Sequence, residues 1–346
     1  MANTFPSGTS THKDVIDKGV IPPVGNNFNG TYGLDSLPGG GLISSVSDLS
    51  SLIYSILTRS IFGNDPLSQA RVREWLLPRS FLGSTNTFLG MPWEIYRPSY
   101  GVLFPGRPES GEHTVTIVAK DGTAYGYRAR IAVVDEYGVG VVVLVAGDTG
   151  IDALEIVYGA VMSVLLPGID EAARKEVEGD GGYVGRFSEV KGGVGVEAKF
   201  EVVSDGSSLT LSELRRNGSD ILKGIEDIWA VSLGAILPSL KNNGTWRLYP
   251  SELTSEAEEV IGGRKVGVVR EDWRLWWDIE VLPETGMPGR EFVTGDCSSW
   301  SVADWVYYGG EAVDRVVFVK DKKTGDVLGV DFPFLRTGVV AKAELL

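Results

Sequence analysis

The chain has few side chains that bind metals or undergo redox chemistry. Among 346 residues it has one cysteine, Cys297, and two histidines, His12 and His113. A lone cysteine forms no intrachain disulfide, and two histidines so far apart lack the close spacing of a histidine-rich metal site. The sequence therefore predicts no metal ion and no other cofactor.

Basic residues are also in deficit. The 32 Lys and Arg residues are outnumbered by 46 Asp and Glu residues, so the formal net charge is −14 at pH 7. Nucleic acids and anionic membrane surfaces bind basic proteins, so this balance argues against both kinds of partner. Apolar residues make up 43%, which is ordinary for a globular protein. At about 150 residues per domain, the length predicts two domains.

Long apolar runs are missing as well. No unbroken run of 18 apolar residues occurs, so the sequence predicts no membrane span. The N-terminus lacks a basic start followed by an apolar run, so no signal peptide is expected. Three Asn-x-Ser/Thr sequons, at Asn29, Asn217 and Asn243, are weakly compatible with secretion of a longer form. Localisation therefore stays open.

Periodicity in the first half predicts helices and an antiparallel meander. Helical apolar spacing begins at Val46, with a serine before it as the cap, and a second helix is expected from about Ser68 to Leu77. Alternation over 114–119 and 127–134 predicts two strands joined by a turn at Asp121-Gly122, followed by a strand over 139–146. A helix over about 151–166 should end at Pro167-Gly168.

The second half is mostly β in character. The charged stretch 170–180, followed by Gly181-Gly182, indicates a domain boundary, which gives predicted domains over 1–172 and 180–346. Short apolar runs separated by glycine turns, together with many tryptophans, fit a barrel or sandwich with an aromatic interior. Seven of the nine tryptophans lie there: Trp229, Trp246, Trp273, Trp276, Trp277, Trp300 and Trp305.

Two short motifs are candidates for chemistry. Lys120-Asp121-Gly122 could present an ammonium group and an approachable backbone to a substrate, or it could be an ordinary hairpin turn. Ser10 and Lys13 have the spacing of a Ser-x-x-Lys nucleophile, but the surrounding residues lack a helical stripe, which favours a chance match. The tryptophans Trp273, Trp276, Trp277 and Trp300 could stack on a flat ligand, although core filling is the simpler interpretation.

Taken together, several segments resemble serine β-lactamase-like proteins of the class C, penicillin-binding and esterase group, in a fungal version. The segments that carry the resemblance are Asn3-Thr4-Phe5, Pro38–Leu49, Gly90–Ile95, Lys120-Asp121-Gly122 followed by Gly126-Tyr127, Tyr183–Phe187, Arg247–Pro250 and Cys297–Trp300. The resemblance implies an α+β fold: a partial transpeptidase-like antiparallel sheet with helices, followed by an appended β-domain.

The resemblance also implies an activity and a site. Family members transfer acyl groups from esters, amides or lactams, with a serine nucleophile, a Lys or Tyr base and backbone oxyanion donors. Lys120 falls where the family carries its third-motif lysine, which implies a role in tuning the proton network. Asp121, Gly122, Thr123 and Tyr127 would then be substrate-binding residues. An aspartate at position 121 would repel a substrate carboxylate.

The chain departs from the family pattern at the nucleophile. Ser-x-x-Lys and Tyr-x-Asn belong well upstream of Gly39, and Ser10 lies downstream of both family positions. Three hypotheses follow: an incomplete hydrolase or acyltransferase that is inactive as this chain, a non-catalytic binding or scaffolding module, or an enzyme with an improvised nucleophile such as Ser10. The expected partner of a completed form is a small-molecule or peptide acyl substrate. A sheet edge left uncovered could also cause self-association.

Overall fold

The computed structural model describes residues 3–6, 41–103, 115–124, 126–147, 150–202, 209–231, 242–279 and 306–343. The chain divides into two compact units, Met1–Ala172 and Ala173–Leu346. The predictions that concern Ser10, Lys13, Asn29, Cys297 and Trp300 lie outside the described residues.

The first unit is built on a six-stranded antiparallel sheet. Its strands follow one another in sequence order, and a separate two-stranded ladder joins β1 (Phe5–Pro6) to β2 (Leu42–Ile43). The six strands are β3 (Ser80–Phe81), β4 (Thr87–Leu89), β5 (Glu94–Tyr96), β6 (Ile117–Ala124), β7 (Tyr127–Val134) and β8 (Val139–Ala146). The helices of this part are α1 (Val46–Leu57), α2 (Pro66–Leu76), the short α3 (Tyr100–Leu103) and α4 (Gly150–Glu178).

The start of helix α1 confirms the predicted serine cap. Ser45 is extended, and its hydroxyl accepts a hydrogen bond from the Asp48 amide at 3.2 Å. The buried Asp48 carboxylate accepts hydrogen bonds from the Asn3 amide and the Thr4 hydroxyl, both at 2.8 Å. Two segments that carry the family resemblance, whose contacting residues are 44 and 45 positions apart in sequence, therefore meet at the start of α1.

One face of the sheet is covered by α1. Gly140 on β8 allows the close approach, because a Cβ atom at this position would lie 2.2 Å from Cγ2 of Ile53. At the end of the helix, the Arg59 guanidinium donates two hydrogen bonds of 2.7 Å to the Asp135 carboxylate. Apolar packing and an ion pair thus hold both ends of this contact.

The other face is covered by α4. Leu154, Met162 and Leu166 pack with Val141 and Val143 of β8. The predicted end at Pro167 is wrong, because the helix continues through that proline to Glu178. Proline removes one backbone donor from the helix, but residues 171–175 are strong helix formers and Ile169 still packs against the core.

Helix α4 meets a simple membrane criterion by length and composition. Asp152–Glu178 contains an 18-residue window with a mean hydropathy of 1.5, of which 17% is buried. Core helices of globular proteins meet the same criterion, and α4 packs one side on the sheet. The expectation that no segment spans a membrane stays a prediction.

The second unit is a nearly closed antiparallel barrel. Its strands are β9 (Gly185–Lys191), β10 (Val194–Val202), β11 (Leu209–Arg216), β13 (Asn242–Ile261), β14 (Arg264–Ile279), β17 (Arg315–Asp321), β18 (Val327–Asp331) and β19 (Val340–Ala341). They pair in the order β19-β18-β17-β14-β13-β11-β10-β9, and a bridge between Phe187 and Lys342 links the two ends. The remaining elements are β12 (Ser219–Asp220), helix α5 (Ile221–Val231), β15 (Tyr307–Tyr308) and β16 (Glu311–Ala312).

Aromatic rings fill the barrel. Phe200 is fully buried and lies 5.3 Å from Phe187 and 4.9 Å from Phe318 between ring centroids. Trp276 and Trp277 are buried and stack at 4.1 Å, which supports core filling over ligand stacking for these two residues. The predicted α+β fold, a sheet with helices followed by a β-rich domain, is confirmed, and the β-rich part is a barrel.

Candidate functional site

The motif Lys120-Asp121-Gly122 lies within a strand. The sequence placed a turn at Asp121-Gly122, but β6 continues to Ala124 and the chain turns at Gly126, where φ is +83°. The strand continues because the backbone of β6 pairs along its whole motif with β7. The motif therefore lies in regular strand structure that is paired with β7.

Strand alternation separates the predicted site residues into two groups. Lys120, Gly122 and Tyr127 lie on the sheet face that α1 covers, as the register of β6 with β7 shows. Asp121 and Thr123 lie on the opposite face, with α4. The structure thus brings three of the five predicted residues to one face and moves the other two away from it.

The Lys120 ammonium group is held by two acceptors. It donates to the carboxylate of Glu94 on β5 and to the carbonyl oxygen of Asp121 at 2.9 Å. The Lys120 and Glu94 side chains are 39% and 47% exposed, so a molecule from solvent reaches both. An ion pair this exposed adds little stability, but it sets the local charge near zero.

The backbone of β6 is open beside this lysine. β5 pairs with β6 only over Ile117–Ala119, so within the described residues no strand pairs with 120–124 on the β5 side. Gly122 is exposed, and a Cβ atom there would meet only Ala129 at 3.6 Å. Unpaired strand amides next to an accessible glycine are suited to bind a carbonyl oxygen or an oxyanion.

Asp121 is neutralised on the α4 face. Arg130 on β7 donates to both Asp121 carboxylate oxygens at 2.6 Å and to Glu155 of α4 at 2.8 and 3.1 Å. Hydrogen bonding to Asp121 raises the pKa of Arg130 above its ordinary value. The Asp121 carboxylate faces Arg130, on the opposite face of the sheet from Lys120. The position of Asp121 therefore does not support the expected repulsion of a substrate carboxylate.

A partly buried tyrosine completes this cluster. The Arg130 guanidinium lies 4.6 Å from the ring centroid of Tyr158 on α4. Burial raises the pKa of Tyr158 from 10.0 to about 12, although the nearby Arg130 charge acts in the opposite direction. On the other face, burial also raises the pKa of Tyr127.

The raised pKa of Tyr158 predicts a pH-dependent stability. Between pH 10 and about pH 12 the folded protein keeps the Tyr158 proton that the unfolded chain loses, so this contribution is full below pH 10 and is lost as pH rises towards 12. We expect Tyr158→Phe to remove one tyrosine that ionises near pH 12 from a titration followed by absorbance at 295 nm. A missing step near pH 10 instead would contradict the burial argument.

The structure adds site residues that the sequence analysis did not identify. Glu94 and Arg130 are the ion-pair partners of Lys120 and Asp121, and Glu155 is the second acceptor of Arg130. The partner of Asp121 was recognisable in principle, because a turn at Gly126 pairs 121 with 130. The sequence contains no signal for Glu94, since its approach depends on how β5 aligns with β6. Within the described ranges, no group of three His, Cys, Asp or Glu residues is arranged to hold a metal ion.

The family model and a similar curated protein both carry β-lactamase-like descriptions. Residues 173–343 match the model of a β-lactamase-like C-terminal domain. A "Beta-lactamase-like protein" of Arthroderma benhamiae is 36% identical over 97% of this chain and 54% of its own length. "Probable hydrolase clz13" of Cochliobolus lunatus is 26% identical over 94% of this chain and 47% of its own length.

Among solved structures, the octameric penicillin-binding protein homologue from Pyrococcus abyssi aligns with 80% of this chain and 55% of its own. The TM-score is 0.30 and the sequence identity is 17%. The chain spans about half the length of the curated relatives named above.

Proposed function

We propose that this chain, which resembles the fungal β-lactamase-like proteins along nearly its whole length and carries the C-terminal domain of that family, serves serine-dependent acyl transfer. The acyl donor would be an ester, amide or lactam. The single observation that carries this proposal is the arrangement on β6: the exposed Lys120 ammonium group and the exposed Gly122 lie on the stretch 120–124, with which no described strand pairs on the β5 side.

The roles follow from the chemistry of acyl transfer. A serine attacks the carbonyl carbon, a base accepts the serine proton, and amides bind the developing oxyanion. In this chain an amide of β6 just after Gly122 would donate to the oxyanion. Lys120 would stabilise negative charge and tune the proton network. Tyr127 would line the same face. Asp121 and Thr123 would support the strand from its other face.

Labelling with a fluorophosphonate tests this proposal. We expect an intact-mass adduct on a serine of the protein that contains this chain, and we expect Lys120→Gln to slow labelling by about a hundredfold or more, the usual range for a proton-transfer group. Lys120 is partly exposed, so the variant should fold. Lys323→Gln is the matched control, because Lys323 is an exposed turn residue of the barrel.

The competing hypothesis is a non-catalytic binding module. A folded protein that forms no adduct with fluorophosphonates or activated esters would favour that hypothesis over acyl transfer. Equal labelling of Lys120→Gln and the wild type would remove Lys120 from the mechanism while leaving acyl transfer in place.

A further inference from the structure

The Lys120–Glu94 ion pair has a consequence for the charge of the substrate. This inference rests on the proposed function. We propose that Glu94 makes the site selective for acyl substrates that carry no carboxylate next to the reacting carbonyl, such as neutral esters and lactones.

The lysine has little capacity left for an anion. Of its three N–H donors, one binds Glu94 and one binds the carbonyl oxygen of Asp121. A substrate carboxylate that approached the remaining donor would lie beside the Glu94 carboxylate, and like charges at such a distance repel. The anion would have to displace Glu94 to form an ion pair of its own.

The Arg130 guanidinium offers no alternative. Arg130 lies on the opposite face of the sheet and is 15% exposed, and both Asp121 and Glu155 accept its hydrogen bonds. Its cluster of one cation and two carboxylates has a formal charge of −1, whereas the Lys120–Glu94 pair is neutral. The chain as a whole is also acidic, with a formal net charge of −14. The two negative charges, of the Arg130 cluster and of the chain, disfavour an anionic substrate.

The role of Glu94 replaces the one that the sequence suggested for Asp121. A carboxylate does lie beside the family lysine position, but it comes from the end of β5, where Glu94 pairs with Ala119 and its side chain reaches the Lys120 ammonium group. Glu94 is therefore a specificity-determining residue, and no proton transfer is assigned to it.

Anion binding at Lys120 can be measured without turnover. The protein is produced with ¹³C-labelled lysine, and the Lys120 side-chain resonance is assigned by its absence in Lys120→Gln. Sodium phenylacetate is then added at constant ionic strength. In the wild type we expect only weak binding, seen as a shift of this resonance that stays far from saturation. Glu94→Gln should bind the anion about fivefold to tenfold more tightly, as expected for removal of one partly screened charge.

Glu74→Gln is the matched control. Glu74 forms an exposed ion pair with Arg79, so this variant changes the net charge equally but leaves Glu94 in place. Its Lys120 resonance should respond to phenylacetate as the wild type does. Equal anion affinity in the wild type and Glu94→Gln would overturn the inference, as would tight binding in the wild type. The anion titration reads the Lys120 resonance and does not require turnover. A failure of fluorophosphonate labelling would therefore count against acyl transfer, whereas equal anion affinities would count against the role of Glu94.

Discussion

Replacement of Phe200 by alanine is expected to lower the free energy of unfolding of the barrel by about 3–5 kcal/mol. Phe200 has no exposed surface, and its ring contacts those of Phe187, Phe318 and Phe332. Removal of the ring loses its burial from water and leaves a cavity among three rings that pack on different strands and loops. The surrounding barrel is hydrogen bonded, so it cannot collapse to fill the space.

Urea denaturation followed by tryptophan fluorescence measures this loss. Trp276 and Trp277 report on the barrel because they lie in the same core cluster as Phe200. Phe81→Ala is the control, since Phe81 is 81% exposed on β3 and contacts Phe88. This variant should cost below about 1 kcal/mol. The packing of the barrel is misassigned if both phenylalanine variants lose the same stability.

Replacement of Gly140 by valine is expected to destabilise the first unit by about 2–3 kcal/mol, at the upper end of overpacking. Even a single Cβ atom at this position would lie 2.2 Å from Cγ2 of Ile53, and valine adds two methyl groups. Helix α1 would have to move off β8, which would also disturb the ion pair between Arg59 and Asp135.

A second substitution separates overpacking from a general effect of glycine loss. Gly159→Ala on α4 meets no atom within 4 Å, so it should stabilise the helix by about 0.5–1 kcal/mol. Ile53→Ala removes the clashing methyl group, so Gly140→Ala should cost less in an Ile53→Ala background than in the wild type. Thermal unfolding of the wild type, Gly140→Ala, Ile53→Ala and the double variant measures this coupling. If the stability losses of the two single variants add up exactly to that of the double variant, α1 and β8 are not in contact at Gly140.

The difference between sequence and structure at the site comes from the position of one turn. The sequence placed the turn at Asp121-Gly122, because Asp-Gly is a strong turn signal. In the structure the turn lies at Gly126, and Asp121 faces Arg130 across the ladder. A local turn preference was thus outweighed by an ion pair and by strand pairing along β6.

The residues alone determined a good part of this protein. The apolar period of α1 with Ser45 before it, the alternation of β7 and the uniformly apolar β8 are local signals, and the structure contains each of these elements. The single cysteine excludes an intrachain disulfide, and the acidic composition does not depend on the fold. These properties depend on residues that are neighbours in sequence or on counts alone.

The tertiary structure decided what depends on distant pairs. It placed Glu94 beside Lys120, continued α4 through Pro167, and joined Phe187 of β9 to Lys342 so that the barrel is nearly closed. Each outcome is set by packing or by hydrogen bonds between segments far apart in the chain, where the free energy of many contacts outweighs a local preference. The charge that a substrate meets at Lys120 is therefore a property of the fold rather than of the Lys-Asp-Gly motif.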